Sequence, residues 1–266
     1  MSTPIFQVDS FTKEPFRGNP AGVCLLTDPQ SDAWMASVAR EMNLSETAFL
    51  LPEGSAYRLR WFTPAAEVDL CGHATLATAH ILWETNRLQP GQIARFETRS
   101  GTLTAALHGD WIQMNFPVTT PTEVTTPAGL LEALFAGTKP AIARYVGKSI
   151  FDYLVEIDDE DAVRNLKPDF VELNKYEARG IIVTSRASGK YDFISRFFGP
   201  QVGINEDPVT GSSHSCLTPY WAKKLNKTDM MAYQASARGG ELHVILSGDR
   251  VLIEGQAVTT IKGELL

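Results

Sequence analysis

Arg60-Trp-Phe-Thr-Pro64 and Arg196-Phe-Phe-Gly-Pro200 each close a β-rich run, and each opens an acidic loop that ends on a glycine, Gly72 in one case and Gly211 in the other. The first glycine comes eight residues after its proline and the second eleven, so the second loop carries three more residues. From the glycines onward the two stretches keep a constant offset of 139. Arg99 matches Arg238, Gly101 matches Gly240, Leu103 matches Leu242, Leu107 matches Leu246, and Gly109-Asp110 matches Gly248-Asp249. Self-similarity at a fixed offset marks a duplicated unit. The seam lies in PVTTPTEVTTPA, residues 117–128, whose prolines and threonines follow neither a helical nor a strand period. Two half-chain domains are expected, 1–117 and 118–266, with the last strand able to return to the N-terminal half.

Working outward from the repeat, Arg58–Phe62, Thr102–Leu107, Trp111–Phe116, Ile181–Thr184, Phe193–Phe198, Glu241–Leu246 and Arg250–Glu254 are short, alternating or β-branched, and bounded by turn residues. They read as strands. His108-Gly-Asp110 and Ser247-Gly-Asp249 join neighbours at hairpin distance, which argues for antiparallel sheet. Helical periodicity appears in Asp32–Met42, Ala74–Trp83 and Ser213–Leu225. The last two follow the paired glycines and are short of charge on every side, which predicts burial all round. The expected fold class is therefore α+β, with two pseudo-symmetric halves, each a largely buried central helix wrapped by an antiparallel sheet or barrel. Pro219, inside the second of these helices, removes an internal hydrogen bond and predicts a kink.

The 266 residues are 44% hydrophobic and 21% charged, an ordinary globular composition able to bury a core. Lys and Arg number 24 against 31 Asp and Glu, a net charge of −7 that offers no global attraction to nucleic acid or an anionic membrane. Cys24, Cys71 and Cys216 are far apart and lack zinc or disulfide spacing, which fits a reducing cytoplasm. The N-terminal residues lack the apolar run of a signal peptide, and no stretch has ~18 uninterrupted apolar residues. A soluble cytoplasmic protein is expected. No HExxH or other close metal spacing, GxGxxG or P-loop lysine motif occurs, so neither metal nor organic cofactor is expected.

A buried helix has unpaired N–H groups in its first turn that something must satisfy. Gly72 and Gly211 stand at equivalent helix starts, so pseudo-twofold symmetry would let the two ends face one another across a cleft as a carboxylate or oxyanion site. Either glycine alone is accounted for by a tight strand-to-helix turn; as a symmetric pair they point to a ligand. His73 follows Gly72, and the repeat puts Ser212 in its place. Asp207 precedes Gly211. These residues alone leave His73 open between capping its helix and acting in a site, and leave Asp207 open between acting and initiating a turn. Glu46, between a helix and an apolar strand, has the exposed junction residue as its commoner fate. A racemase with one thiol at each helix start is disfavoured, because Cys71 is matched by Thr210; Cys71 reads as a small buried residue.

The stretches Phe6-Gln-Val-Asp-Ser-Phe, Gly18-Asn-Pro-Ala-Gly-Val, Asn43-Leu-Ser-Glu-Thr-Ala-Phe, Val68-Asp-Leu-Cys-Gly-His-Ala-Thr and Glu206-Asp-Pro-Val-Thr-Gly-Ser, in this order, resemble the PhzF-like family within the diaminopimelate epimerase-like fold. The resemblance spans nearly the whole chain. It implies two similar halves with the site between them, Glu46 as the principal general acid/base, His73, Asp207 and Ser212 around the reacting group, and Gly72 and Gly211 as backbone donors to a substrate carboxylate. It also implies homodimers and cofactor-free isomerisation like that of trans-2,3-dihydro-3-hydroxyanthranilate. Ser213 and His214 border the site in roles the resemblance does not assign. The expected function is a cofactor-independent isomerase of a small carboxylate-bearing metabolite. An epimerase or racemase using Glu46 with Asp207 or His73, and a non-catalytic binding protein of the same fold, are the alternatives.

Overall fold

The computed structural model describes residues 2–266. In chain order the elements begin with β1 (Thr3–Ser10), β2 (Asn19–Leu25), α1 (Asp32–Met42), β3 (Thr47–Glu53), β4 (Ala56–Phe62), β5 (Glu67–Val68), α2 (Gly72–Glu84), β6 (Ala94–Thr98), β7 (Gly101–His108) and β8 (Trp111–Pro117). There follow β9 (Thr122–Glu123), α3 (Leu130–Leu134), β10 (Ala143–Lys148), β11 (Asp152–Ile157), α4 (Glu160–Asn165), α5 (Phe170–Leu173), β12 (Gly180–Arg186) and β13 (Phe193–Gly199). A 3-10 turn at Pro200–Val202 leads to β14 (Ile204–Asp207), α6 (Gly211–Leu225), β15 (Asp229–Gln234), β16 (Gly240–Ser247), β17 (Arg250–Gly255) and β18 (Ala257–Leu265). The chain forms two units, Met1–Asn115 with Glu254–Leu266, and Phe116–Ile253. No helix of the described residues is long and apolar enough to cross a membrane.

In the first unit β18 lies antiparallel to β1, which pairs in turn with β2. Beneath them α2 packs against β1, β2, β3 and β18. Nine of its thirteen residues, His73 to Ala79 with Ile81 and Leu82, are buried. Gly255 makes room for this packing, since a Cβ there would stand 2.4 Å from the Phe11 ring and 2.8 Å from Leu76. The other side of the sheet receives α1, whose Met35, Val38 and Ala39 meet Ile5, Cys24, Phe49 and Phe62. That helix starts where the Ser31 side chain accepts the Trp34 N–H and stops at Asn43 in the left-handed region.

The second unit repeats the plan, with α6 against β15 and β16. The small helices α3, α4 and α5 contribute Leu130, Leu134, Val163 and Leu173 to a cluster with Val155, Ile181, Val183, Ile194 and Phe198. Pro219 sits inside α6 and supplies no N–H for the carbonyl of Ser215. The backbone N–H of Thr119 donates to that carbonyl instead, at 3.1 Å. The segment after β8 thus replaces the bond that the proline removes.

The expectation of antiparallel sheet needs one correction. Two pairings in each unit are parallel: β2 with β3 and β4 with β6 in the first, β11 with β12 and β13 with β15 in the second. In all four the intervening chain contains helix, α1, α2, α4 with α5, or α6. A chain that leaves one end of a sheet and returns through a helix re-enters in the same direction. The duplication therefore repeats crossovers as well as hairpins.

One further repeat element fixes the loops before the central helices. Arg60 grips Glu67 through Nε and Nη2, at 2.7 and 2.6 Å, and Arg196 grips Glu206 in the same way, at 2.7 and 2.8 Å. The two glutamates are 139 apart, five residues ahead of Gly72 and Gly211 respectively. Bidentate geometry restrains both partners in direction as well as distance.

Candidate active site

Glu46 lies at the entry to β3, where the Gly22 N–H holds its carbonyl at 3.1 Å. Gly22 allows this close approach, because a Cβ there would fall 2.9 Å from the Thr47 hydroxyl. His73 is the second residue of α2, and its carbonyl accepts from the Ser10 hydroxyl at 2.8 Å. With both backbones held, Nε2 of His73 comes to 3.2 Å from Oε2 of Glu46, the two side chains being 7% and 13% exposed. Glu46 is therefore largely buried against an imidazole, and not the exposed junction residue that its place in the sequence favoured. Burial pushes His73 down to about 3, so the ring is neutral at ordinary pH.

Cys71 is more than a space-filler, since its Sγ stands 3.5 Å from Nδ1 of His73. Among the described residues, Glu46, Cys71 and His73 are the one group of His, Cys and carboxylate donors close enough to hold a metal ion, with donor atoms within 4.8 Å of one another. The thiol is nearest one ring nitrogen and the carboxylate nearest the other. That arrangement suits a proton passing between neutral and charged partners. Cys24 and Cys216 are buried and free, and burial pushes both thiols up to about 12.

In the second unit Asp207 accepts the Thr210 hydroxyl at 2.5 Å, and its carbonyl accepts from Gln234 Nε2 at 2.8 Å. Gln234 is fully buried and takes the Thr210 N–H on its Oε1 at 2.8 Å. One amide side chain thus clamps both ends of the turn between Asp207 and α6. Ser213 and His214 are buried as well, and both bond to the Thr210 carbonyl, at 2.8 and 2.9 Å. The first unit has the same device, in which the Thr75 hydroxyl donates to the Cys71 carbonyl at 2.6 Å.

The two central helices both begin without a side-chain cap, as does the short α3 after Gly129. Ser31, Asp159 and Asp169 cap α1, α4 and α5 with side-chain oxygens, whereas neither Cys71 nor Thr210 places a side-chain cap on α2 or α6. Thr210 directs its hydroxyl to Asp207 instead. The N–H groups at Gly72 and Gly211 thus begin buried helices without a side-chain acceptor, which is the electrostatic requirement for anion binding. In the first unit Glu46 meets His73; in the second, Asp207 bonds Thr210 and Ser212 bonds Arg179. Sequence reasoning did not find Cys71 as a neighbour of His73, nor Gln234, Arg179 and Asp152 around the start of α6. Gln234, Arg179 and Asp152 lie far along the chain from the start of α6, and only the strand register brings them there, whereas Cys71 is the residue before α2 and its contact depends on the His73 rotamer.

The family model described as phenazine biosynthesis-like protein matches residues 8–263. The chain belongs to the phenazine biosynthesis-like family. A member from Halalkalibacterium halodurans, named an uncharacterized isomerase, is 55% identical over all of this chain and 99% of its own length. Another uncharacterized isomerase, from Pseudomonas aeruginosa, is 49% identical with the same coverage. A solved PhzF-family structure from Enterococcus faecalis superposes with a TM-score of 0.94 at 40% identity, covering all of both chains. The family places this chain among the isomerases.

Proposed function

We propose that the protein moves a proton within a small carboxylate-bearing metabolite, with Glu46 as the general acid/base and no metal or organic cofactor. The contact between Glu46 and the neutral His73 carries this reading. A carboxylate held against an apolar-walled imidazole can remove a proton from carbon and return it to another position of the same molecule, with the double bond shifting to balance the charge. His73 serves as the neutral neighbour of Glu46, its Nε2 close enough to exchange a proton with the carboxylate. Developing negative charge on the substrate is met by backbone N–H groups at an uncapped helix start, of which Gly72 is the one beside Glu46 and His73 in its own unit. Asp207 and Ser212 are, in this reading, the second unit's substrate-contacting groups.

The substrate is taken to resemble trans-2,3-dihydro-3-hydroxyanthranilate, a cyclic amino acid whose rearrangement needs only proton movement. The three free, buried cysteines accord with work in the cytoplasm, where we place the protein as a homodimer. Proton NMR in D2O tests the chemistry. Wild type should convert trans-2,3-dihydro-3-hydroxyanthranilate or exchange one of its carbon-bound protons, and Glu46→Gln should do neither while keeping its fold. Turnover in a folded Glu46→Gln variant would sink the assignment.

A further inference from the structure

The register of the repeat puts a residue of opposite charge next to the position equivalent to Glu46. On β3, Thr47 faces Phe62 of β4, and on β12, Ile181 faces Phe198 of β13. Glu46 thus corresponds to Gly180, and the side chain beside that glycine is Arg179. In the first unit Glu46 reaches His73, at 3.2 Å; in the second, Arg179 reaches Ser212, the residue that replaces His73, with Nη1 donating to Oγ at 2.8 Å. The acid beside a base has become a cation beside a hydroxyl.

Arg179 is firmly held in that place. Its Nε and Nη2 donate to Oδ1 and Oδ2 of Asp152, at 2.9 and 2.5 Å, and the Asp152 side chain is only 2% exposed. The guanidinium lies over the rings of Phe151 and Phe197, 5.3 and 5.4 Å from their centroids. Gly180 lets the second ring in, since a Cβ there would fall 2.2 Å from it. Arg179 itself keeps 31% of its side chain exposed. A purely structural partner for Asp152 would be complete with the two bonds to the carboxylate. The third bond fixes a hydroxyl.

The direction of that third bond decides its use. A guanidinium can only donate, so Ser212 accepts from Arg179 and its own O–H proton is left to point elsewhere. Among the described residues that proton has no acceptor. It stands at the second position of a helix without a side-chain cap, next to the backbone N–H groups of the first turn.

We infer that Arg179 is a positioning residue for substrate binding, which orients the Ser212 hydroxyl as a donor to a carboxylate of the substrate. This rests on the isomerase reading only for the identity of the ligand. A charge-assisted bond onto Oγ polarises the O–H and strengthens the hydrogen bond it gives to an anion. The second unit is thereby specialised to hold negative charge.

The test uses 3-hydroxyanthranilate, a stable aromatic carboxylate, and its methyl ester, with binding measured by isothermal titration calorimetry on the whole protein. Wild type should bind the acid in preference to the ester. Arg179→Lys, which keeps a cation for Asp152, should weaken binding of the acid about tenfold and leave the ester little changed, as expected for loss of a bond to a charged group. In a Ser212→Ala background the same replacement should have almost no further effect, because the hydroxyl it positions is gone. Equal losses on acid and ester, additive losses in the double variant, or no binding of the acid by wild type would each overturn the proposal. Should Arg179→Lys not fold, Ser212→Ala alone decides, by losing or keeping the preference for the acid. Binding with this pattern in a protein that exchanges no protons in D2O would uphold the role of Arg179 while overturning the isomerase reading, so the two fail separately.

Discussion

Nε2 of His73 stands 3.2 Å from Oε2 of Glu46 on a ring that burial keeps neutral. The pairing turns a glutamate at the entry to a strand into a group whose proton has a defined neighbour. It also determines what each half of the pair should do when titrated or replaced.

The first expectation concerns the ring. With His73 pushed down to about 3 and His214 to about 4, both by burial, neither should gain a proton between pH 8 and 5. Imidazole 15N shifts followed over that range should show the two buried rings staying neutral. A His73 resonance that moves with a midpoint above pH 6 would mean that the Glu46 charge outweighs burial, and would make the pair an ion pair at neutral pH.

Stability should carry the same signature. The ordinary histidine value is 6.5, and His214 in the fold lies at about 4, lowered by burial and only partly restored by its bond to the Thr210 carbonyl. Between those values the unfolded chain binds a proton that the folded chain refuses. Stability therefore falls as pH drops from 6.5 towards 4, and the contribution of this residue is level above and below that window. A shift of this size corresponds to a few kcal/mol, since one pKa unit is worth about 1.4 kcal/mol. Urea unfolding at a series of pH values checks it, and His214→Gln should flatten the slope.

How much of this could be read from the sequence follows from the range of each interaction. The duplication, the central helices and α1 were legible because periodicity and a fixed offset are local or self-referential signals; α1 runs from Asp32 to Met42 as expected. The same offset carries Glu67 onto Glu206, but an offset alone does not say which arginine each glutamate faces, so the ion pairs Arg60–Glu67 and Arg196–Glu206 appear only in the fold. The parallel pairings were not legible, because a strand reads the same whichever way its neighbour runs. Arg179 was hidden for a different reason: its meaning depends on strand register, and nothing in Glu177-Ala-Arg-Gly180 distinguishes a site arginine from a loop one.

Those ion pairs give a further test. Arg196 is 8% exposed and also donates to the Leu166 carbonyl at 2.8 Å, so it cannot swing out to water when its partner is removed. Glu206→Ala should cost about 3 kcal/mol, the usual penalty for leaving one charge of a buried pair uncompensated. Arg58 with Glu53, about half exposed on both sides, should cost under about 1 kcal/mol when broken. Chemical denaturation of Glu206→Ala and Glu53→Ala ranks them. Equal losses would show that burial does not set the strength of these bridges.

Phe16 holds φ at +68°, with 77% of its surface in water. A bulky side chain in the left-handed region costs of order 1 kcal/mol or more, and an exposed ring recovers little of that by packing. Its N–H is tied to Asp9 Oδ2 at 2.7 Å, which keeps the turn in place. Phe16→Gly should therefore leave stability unchanged or raise it by about 1 kcal/mol, whereas most aromatic-to-glycine changes destabilise. Thermal unfolding decides, and a loss of more than about 2 kcal/mol would mean that the ring is packed in solution.

Pro219 offers the opposite case, a helix-breaking residue whose removal should gain almost nothing. Proline in a helix interior costs about 3 kcal/mol relative to alanine, through the missing N–H and the clash with the carbonyl four residues earlier. In α6 that carbonyl belongs to Ser215, and the Thr119 N–H already occupies it. An alanine at 219 would bring a new N–H to an acceptor that is taken, so either the two donors share it or Thr119 is displaced and must find another partner. The helix-propensity gain is offset by that competition. Pro219→Ala should change stability by less than about 1 kcal/mol. Hydrogen exchange separates this from a simple insensitivity of the site: the Thr119 amide should exchange faster in the variant while the core amides of α6 do not. A gain near 3 kcal/mol with Thr119 still protected would show that the cost of the proline was never compensated.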